Sequence, residues 1–234
     1  MSRIVFTGGS GRFGKVFKTI KTNHKLFFPD KKKLNIFSER SIEKYLKKNK
    51  PSYLIHAAGL SRPMNLHDKD IVRSINLNII GTCNLVKVCK KLSIKIIYFS
   101  TNYVYAGTKG NYSENDPVKP INNYALSKLG GECAVSMYKN SLILRISMTE
   151  RPFVHNSAFN DVLTNFIYHD EFAKKLLKLI KLKGILNVGG KSQSIFNFAK
   201  NEKKNVKKIF AKKIYGSKYP LKQSMNTNKY RKIK

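Results

Sequence analysis

Tyr124 and Lys128 stand four residues apart in Tyr124-Ala125-Leu126-Ser127-Lys128, a spacing that puts both side chains on one face of a helix. The chemistry open to such a pair is proton transfer to oxygen. A tyrosine hydroxyl titrates at about 10 and is a poor acid–base group at neutral pH until a nearby ammonium stabilises its anion. Lys128 can supply that charge and also hold a cofactor ribose. Thr101, in Ser100-Thr101-Asn102-Tyr103, ends an apolar run and can hydrogen-bond a substrate oxygen. Together the three fit carbonyl reduction by hydride, where the developing alkoxide needs a proton donor.

A hydride needs a carrier, and the start of the chain offers a place for one. In Thr7-Gly8-Gly9-Ser10-Gly11-Arg12-Phe13-Gly14, the residues Gly8, Gly11 and Gly14 give a GxxGxxG spacing directly after the apolar Ile4-Val5-Phe6. Glycines there permit a tight turn, close backbone approach to a pyrophosphate and close helix–strand packing. The helix that follows presents free N–H groups and the positive end of its dipole. A further apolar run ends in His56-Ala57-Ala58-Gly59, where the small Ala57, Ala58 and Gly59 let a cofactor lie against the backbone. Cofactor choice is expected near Phe27-Phe28-Pro29-Asp30-Lys31-Lys32-Lys33. A carboxylate closing the second strand holds a ribose 2′-hydroxyl, and basic residues suit a 2′-phosphate. Asp30 comes late and three lysines follow it, with Arg12 in the glycine loop, so NADP(H) is favoured over NAD(H).

These groups need a scaffold, and the first two-thirds of the chain alternates short apolar runs with amphipathic ones. The pattern predicts strands at 4–7, 25–28, 53–56, 95–100 and 142–146. It predicts helices at 13–22, from about Ser41 to before Pro51, at 71–91 and at 124–138. Strands separated by helices of this length argue a parallel sheet covered on both faces. Beyond Ser147 the pattern loosens. Residues 151–165 read as loop, 169–182 as a helix, 185–188 as a strand and 194–200 as a short helix, with a basic, polar stretch after them. The expected fold is α/β, a Rossmann-type doubly wound parallel sheet over residues 1–147. A small C-terminal substrate-binding lobe, 148–234, is interleaved with the last sheet elements.

Composition narrows the setting. With 41% hydrophobic and 11% aromatic residues, the chain can bury a core, so wholesale disorder is excluded. No apolar run reaches the length of a membrane span, and no signal-peptide core precedes the first strand; the expectation is a cytoplasmic protein without a membrane partner. Cys83, Cys89 and Cys133 have neither metal-ligand spacing nor disulfide density, and no metal is expected. The net charge of +33 would suit a polyanion. The lysines, however, are spread through the chain beside abundant Asn and Ile, with no aromatic-studded RNA motif or basic recognition helix. No specific nucleic-acid partner is expected.

The chain resembles the extended short-chain dehydrogenase/reductases, and within them most the dTDP-4-dehydrorhamnose reductases. The resemblance is carried by TGGSGRFG at 7–14, HAAG at 56–59, NIIGTCNL at 78–85, STNYVYAG at 100–107 and YALSKLGGE at 124–132. It continues more faintly in LRIS at 144–147, HDEFAKKLLKLI at 169–180, GILNVGG at 184–190 and SMNTNKY at 224–230. It implies a Rossmann domain binding NADP(H) or NAD(H), and a nucleotide-diphosphate sugar held by the C-terminal lobe. Thr101, Tyr124 and Lys128 would be the catalytic triad. Gly8, Gly11 and Gly14 would contact the pyrophosphate with Ser10, Arg12 and Phe13 beside it, and Tyr124 and Lys128 would also touch the cofactor. Asn78 matches a family asparagine of architectural role, and a homodimer is implied.

Two departures follow. Asn102 stands where the reductases commonly have Asp, and related dehydratases use an Asp-Glu pair; Asn102-Tyr103 has no carboxylate, so dehydration by that route is not expected. Only 106 residues follow Lys128, which implies a reduced substrate lobe. The leading expectation is NADP(H)-dependent reduction of a nucleotide-diphosphate 4-keto-6-deoxy sugar. An NAD-dependent sugar-nucleotide 4-epimerase and a non-catalytic NADP-binding regulatory subunit remain the alternatives.

Overall fold

Apolar residues at alternate positions along the short runs face opposite sides of a sheet. In the computed structural model, which describes residues 1–217 and 219–233, those runs are the central strands. The chain order opens with β1 (Arg3–Thr7), α1 (Arg12–Phe17), β2 (Lys25–Phe27), α2 (Glu39–Asn49) and β3 (Tyr53–His56). Next come α3 (Leu66–Lys69), α4 (Ile71–Ile75), a π-helical turn (Asn76–Ile80), α5 (Gly81–Lys91), β4 (Lys95–Thr101), α6 (Asn123–Ser136) and β5 (Ser141–Ile146). The C-terminal part holds β6 (Met148–Thr149), β7 (Ser157–Phe159), β8 (Leu163–Thr164), β9 (Ile167–Tyr168), α7 (His169–Leu179) and β10 (Gly184–Val188). It closes with β11 (Gln193–Ser194), α8 (Ile195–Lys200), β12 (Lys207–Ile209), α9 (Ala211–Tyr215) and α10 (Asn228–Arg231).

The main sheet has six strands in the order β10-β5-β4-β3-β1-β2, every neighbouring pair parallel. Ile4 and Phe6 of β1 join Phe13 and Phe17 of α1 and Phe172 and Leu176 of α7 in one core. Val5, between them in sequence, joins Ile42 and Leu46 of α2, Leu85 and Val88 of α5 and Val135 of α6 in the other. The sheet is thus covered on both faces, as the alternation predicts. Strand order reverses between β1 and β3, and in open α/β sheets ligands bind outside the strands' carboxyl ends at such a point. Thr7, His56 and Thr101 close β1, β3 and β4 there.

The structure departs from the expected elements in three places. The helix expected over 13–22 ends at Phe17, because Thr19 and Ile20 tighten into three-residue turns and the Thr19 hydroxyl donates to the Val16 carbonyl at 2.9 Å. The helix expected over 71–91 contains the π turn, which leaves its extent intact. The stretch 151–165 is not plain loop: β7 pairs with β12 and β8 with β11, around a satellite core that includes Phe153, Ala158, Tyr168, Phe198 and Val206. The basic tail is also anchored, since Tyr230 is buried in the main core.

The chain beyond residue 147 contributes α7 and β10 to the sheet unit itself. One buried ion pair ties it in. Arg145 on β5 donates to Glu132 on α6, with a closest approach of 2.9 Å, and to the Tyr105 hydroxyl at 2.8 Å; that hydroxyl donates to Asn187 on β10 at 2.9 Å.

Candidate active site

Gly8 adopts φ +86°, a left-handed conformation that costs glycine little. A Cβ there would lie 2.7 Å from the Ala58 nitrogen, and one on Gly14 would collide with the Gly8 carbonyl. The Gly11 N–H donates to Gly8 O at 2.9 Å, and Gly11 caps α1 without a side-chain bond. The loop is therefore a bare backbone cradle, pressed against Ala57 and Ala58, at the mouth of the strand-order reversal. Those are the properties a dinucleotide pyrophosphate requires, and the residues fit such a cofactor.

Helix α6 is capped by Asn122, whose side chain accepts from the Ala125 N–H at 2.8 Å. This fixes the first turn, on which Tyr124 sits half-buried; Lys128, one turn on, is buried. Thr101, the last residue of β4, is 4% exposed and close enough to the Tyr124 hydroxyl to lower its pKa. The three residues that the sequence grouped are thus brought together from two elements.

Their surroundings set the charges. Burial raises the Tyr124 hydroxyl above its ordinary value, while the Thr101 hydroxyl and the guanidiniums of Arg62 and Arg12 pull it back. Burial pushes the Lys128 ammonium down to about 7 against the raising effect of Glu132. Its Nζ lies 4.2 Å from the centre of the Tyr98 ring. The sequence assigns support of the tyrosinate to Lys128; in the structure Arg62 and Arg12 also act on it with permanent charge.

Asn78 locks this arrangement. Its Oδ1 accepts from Leu60 N at 2.8 Å, and its Nδ2 donates to Leu60 O at 2.9 Å and to Ser127 Oγ at 2.8 Å. Ser127 in turn donates to the Tyr124 carbonyl at 2.7 Å. A Cβ on Gly59 would meet the Asn78 Oδ1 at 2.7 Å. The π turn thus holds the loop after β3 against α6, the architectural role expected of it; single π turns gather at functional sites. His56 is buried between Thr7 (2.8 Å) and Thr82 (3.0 Å), and burial pushes it down to about 3, so it is neutral.

Arg12 is not free at the rim. Its guanidinium pairs with Glu150 at 3.1 Å and reaches Ser61 Oγ at 3.1 Å, and Arg62 donates to both Glu150 oxygens at 3.3 Å. A cleft of about 510 Å³, lined by Arg12, Lys15, Val16, Glu150, Arg151, His169 and Asp170, opens between the starts of α1 and α7. Sequence reading missed Arg62 and Glu150: each is a lone charge in a loop, and no spacing rule connects them. Asp30 accepts from the Lys33 N–H at 2.9 Å, beside the exposed Lys31, Lys32 and Lys33. Among the described residues, no three His, Cys, Asp or Glu side chains group as a metal site, and no helix is long and apolar enough to cross a membrane.

A doubly wound parallel sheet with a glycine cradle and a Tyr-x-x-x-Lys helix defines a protein of the extended short-chain dehydrogenase/reductase type. More narrowly, the chain belongs to the RmlD substrate binding domain family, whose model matches residues 2–188. It is 32% identical over 142 residues to methionine adenosyltransferase 2 subunit beta of Xenopus laevis, covering 57% of this chain and 42% of that protein. It is 27% identical over 137 residues to dTDP-4-dehydrorhamnose reductase of Mycolicibacterium smegmatis, covering 57% of this chain and 41% of that one. These matches span about two-fifths of the relatives' length. Among solved structures, dTDP-4-dehydrorhamnose reductase of Bacillus anthracis, in complex with NADP, superposes with a TM-score of 0.86 at 24% identity over 98% of this chain and 92% of that one.

Proposed function

We propose that the chain is an enzyme that binds NADP(H) and reduces the 4-keto group of a nucleotide-diphosphate 4-keto-6-deoxy sugar. The observation that carries this is Tyr124 with Lys128 one turn along the same helix and the Thr101 side chain acting on the Tyr124 hydroxyl, at the same carboxyl end of the strands as the Gly8–Gly14 cradle. When bound, the reduced nicotinamide supplies the hydride. Thr101 orients the substrate carbonyl, and Tyr124 donates its proton to the developing alkoxide. Lys128 holds the cofactor ribose, and Arg62 and Arg12 add positive charge toward the tyrosinate. Gly8, Gly11 and Gly14 take the pyrophosphate, flanked by Ser10 and Phe13, with Ala57–Gly59 behind them. With Arg12 committed to Glu150, preference for the 2′-phosphate falls to Lys31–Lys33. In this reading residues 1–147 serve the dinucleotide and 148–234 hold the sugar nucleotide.

The likeness to a methionine adenosyltransferase beta subunit favours a second reading, a dinucleotide-binding regulatory subunit without turnover. A 4-epimerase would use the same three residues but regenerate its cofactor. The test is single-turnover reduction of dTDP- and UDP-linked 4-keto-6-deoxy sugars, with products identified by mass and with NADPH and NADH compared. Net oxidation of NADPH is expected, faster than of NADH. Tyr124→Phe should slow it about a hundredfold or more, as loss of a general acid does, with NADPH binding kept. No turnover with intact NADPH binding would move the regulatory reading to the front, and epimerised product without net oxidation would favour the epimerase.

A further inference from the structure

His67, on α3, is 1% exposed, and its ring centre lies 5.1 Å from that of Tyr124. Its Nδ1 is hydrogen-bonded to Ser74 Oγ at 2.7 Å, which fixes the ring plane. Its Nε2 is buried with no hydrogen-bond partner among the described residues. A buried nitrogen without a partner is costly, and native proteins rarely keep one without a use. The segment bearing it is docked onto the start of α6: Asp68, the next residue, accepts from Asn123 Nδ2 at 2.7 Å, and Asn123 directly precedes Tyr124. The ring is therefore held against the tyrosine by two independent attachments, while one of its nitrogens stays uncommitted.

We propose that His67 is a substrate-contacting residue whose Nε2 hydrogen-bonds a hydroxyl of the sugar ring next to the carbon that Tyr124 serves. Burial and the Lys128 charge lower the imidazole against the raising effect of Asp68, burial being the larger cause. The ring is neutral at physiological pH, so one nitrogen donates and the other accepts. A sugar hydroxyl, being both donor and acceptor, pairs with Nε2 in either tautomer. An aliphatic or aromatic ketone has no group to offer it, so His67 selects polyhydroxylated substrates.

This inference rests on the sugar-nucleotide reading above, and its test reads binding instead of turnover. Calorimetric titration of dTDP-glucose and UDP-glucose into the NADP⁺-loaded protein gives the affinities. His67→Asn keeps an amide where Nδ1 stands, and with it the Ser74 bond, but removes the reach of Nε2. It should weaken sugar-nucleotide binding about tenfold or more, the size of one buried hydrogen bond, with NADP⁺ affinity and thermal midpoint unchanged. His67→Gln, whose amide reaches the Nε2 position, should restore binding to within about threefold. Equal binding by wild type and His67→Asn would overturn the inference alone. So would loss of binding accompanied by a lower midpoint and no rescue by Gln, which is the signature of packing. A wild type that binds neither probe would overturn it together with the sugar-nucleotide reading.

Discussion

Burial pushes the Lys128 ammonium down to about 7, so near neutrality the free protein holds this side chain in both charge states. A phosphate-bearing dinucleotide favours the charged form, because nearby negative charge stabilises an ammonium. Binding then takes up a proton whenever Lys128 starts out neutral. Below about pH 7 the lysine is already charged and affinity is flat; above it, affinity falls as pH rises toward the pKa of the complex. The sign is that of a group whose pKa is raised by its ligand. NADP⁺ titrated calorimetrically between about pH 6 and about pH 9 should lose close to tenfold in affinity per pH unit beyond the midpoint, roughly one proton's worth of linkage. Lys128→Met should bind more weakly and without that slope. A wild-type profile as flat as the variant's would mean that Lys128 is not coupled to the cofactor. Tyr124 behaves differently: Thr101 and two permanently charged guanidiniums act on it, so its ionisation does not depend on the lysine alone.

At the scale of elements, α6 must hold Tyr124 and Lys128 to the sheet edge, and its far half is tied down by Glu132. The Arg145–Glu132 pair has side chains only 5% and 3% exposed, so neither charge has water to fall back on. Removing one member of a buried pair costs about 3–5 kcal/mol, since the other is stranded, whereas replacing both by apolar groups is often neutral. Arg145→Met should therefore cost stability of that order in urea unfolding. Arg145→Met combined with Glu132→Leu should recover most of it, and a single variant within about 1 kcal/mol of wild type would show the pair to be solvated. Most strands of the sheet could be read because they are buried apolar runs closed by glycine or a small residue; β2 (Lys25–Phe27) is the exception, a partly exposed edge strand followed by Phe28-Pro29. Thr101, Tyr124, Lys128 and the glycines were readable because their spacing is fixed by one turn or one helix. The pairs β7–β12 and β8–β11 were not, being two- or three-residue strands whose partners lie tens of residues away. Arg62, Glu150 and His67 escaped for the same reason: only tertiary contact makes them part of the site. The π turn is invisible because no residue type marks it: Ile71, Val72, Ile75 and Ile80 are exposed while Ser74 and Asn78 are buried, so the apolar pattern does not report the local winding.

At the scale of the whole molecule, 46 Lys and Arg face 13 Asp and Glu, so most cations lack an acidic partner whatever the geometry. Those that have one are spread out: Lys87 reaches Glu39 and Lys91 reaches Glu43 on the α2–α5 side, Lys109 pairs with Asp116, and Lys229 with Glu114. Exposed lysines occur on α2, α5 and α7, on β12 and α9, and in the 31–33 turn. A nucleic-acid reader concentrates its charge on one face and adds aromatic or base-reading side chains there. Charge distributed in this way instead attracts any polyanion from every side without choosing its sequence. Binding to a fluorescent single-stranded RNA should accordingly be weak near physiological salt and equal for unrelated sequences. It should fall steeply as salt rises, since neutralised phosphates release counterions in proportion to the contacts made. Anisotropy titrations of two unrelated RNAs over a series of salt concentrations measure both properties at once. A large affinity difference between the two sequences that persists at about 150 mM salt would require a recognition surface, and the charge would then have a specific partner.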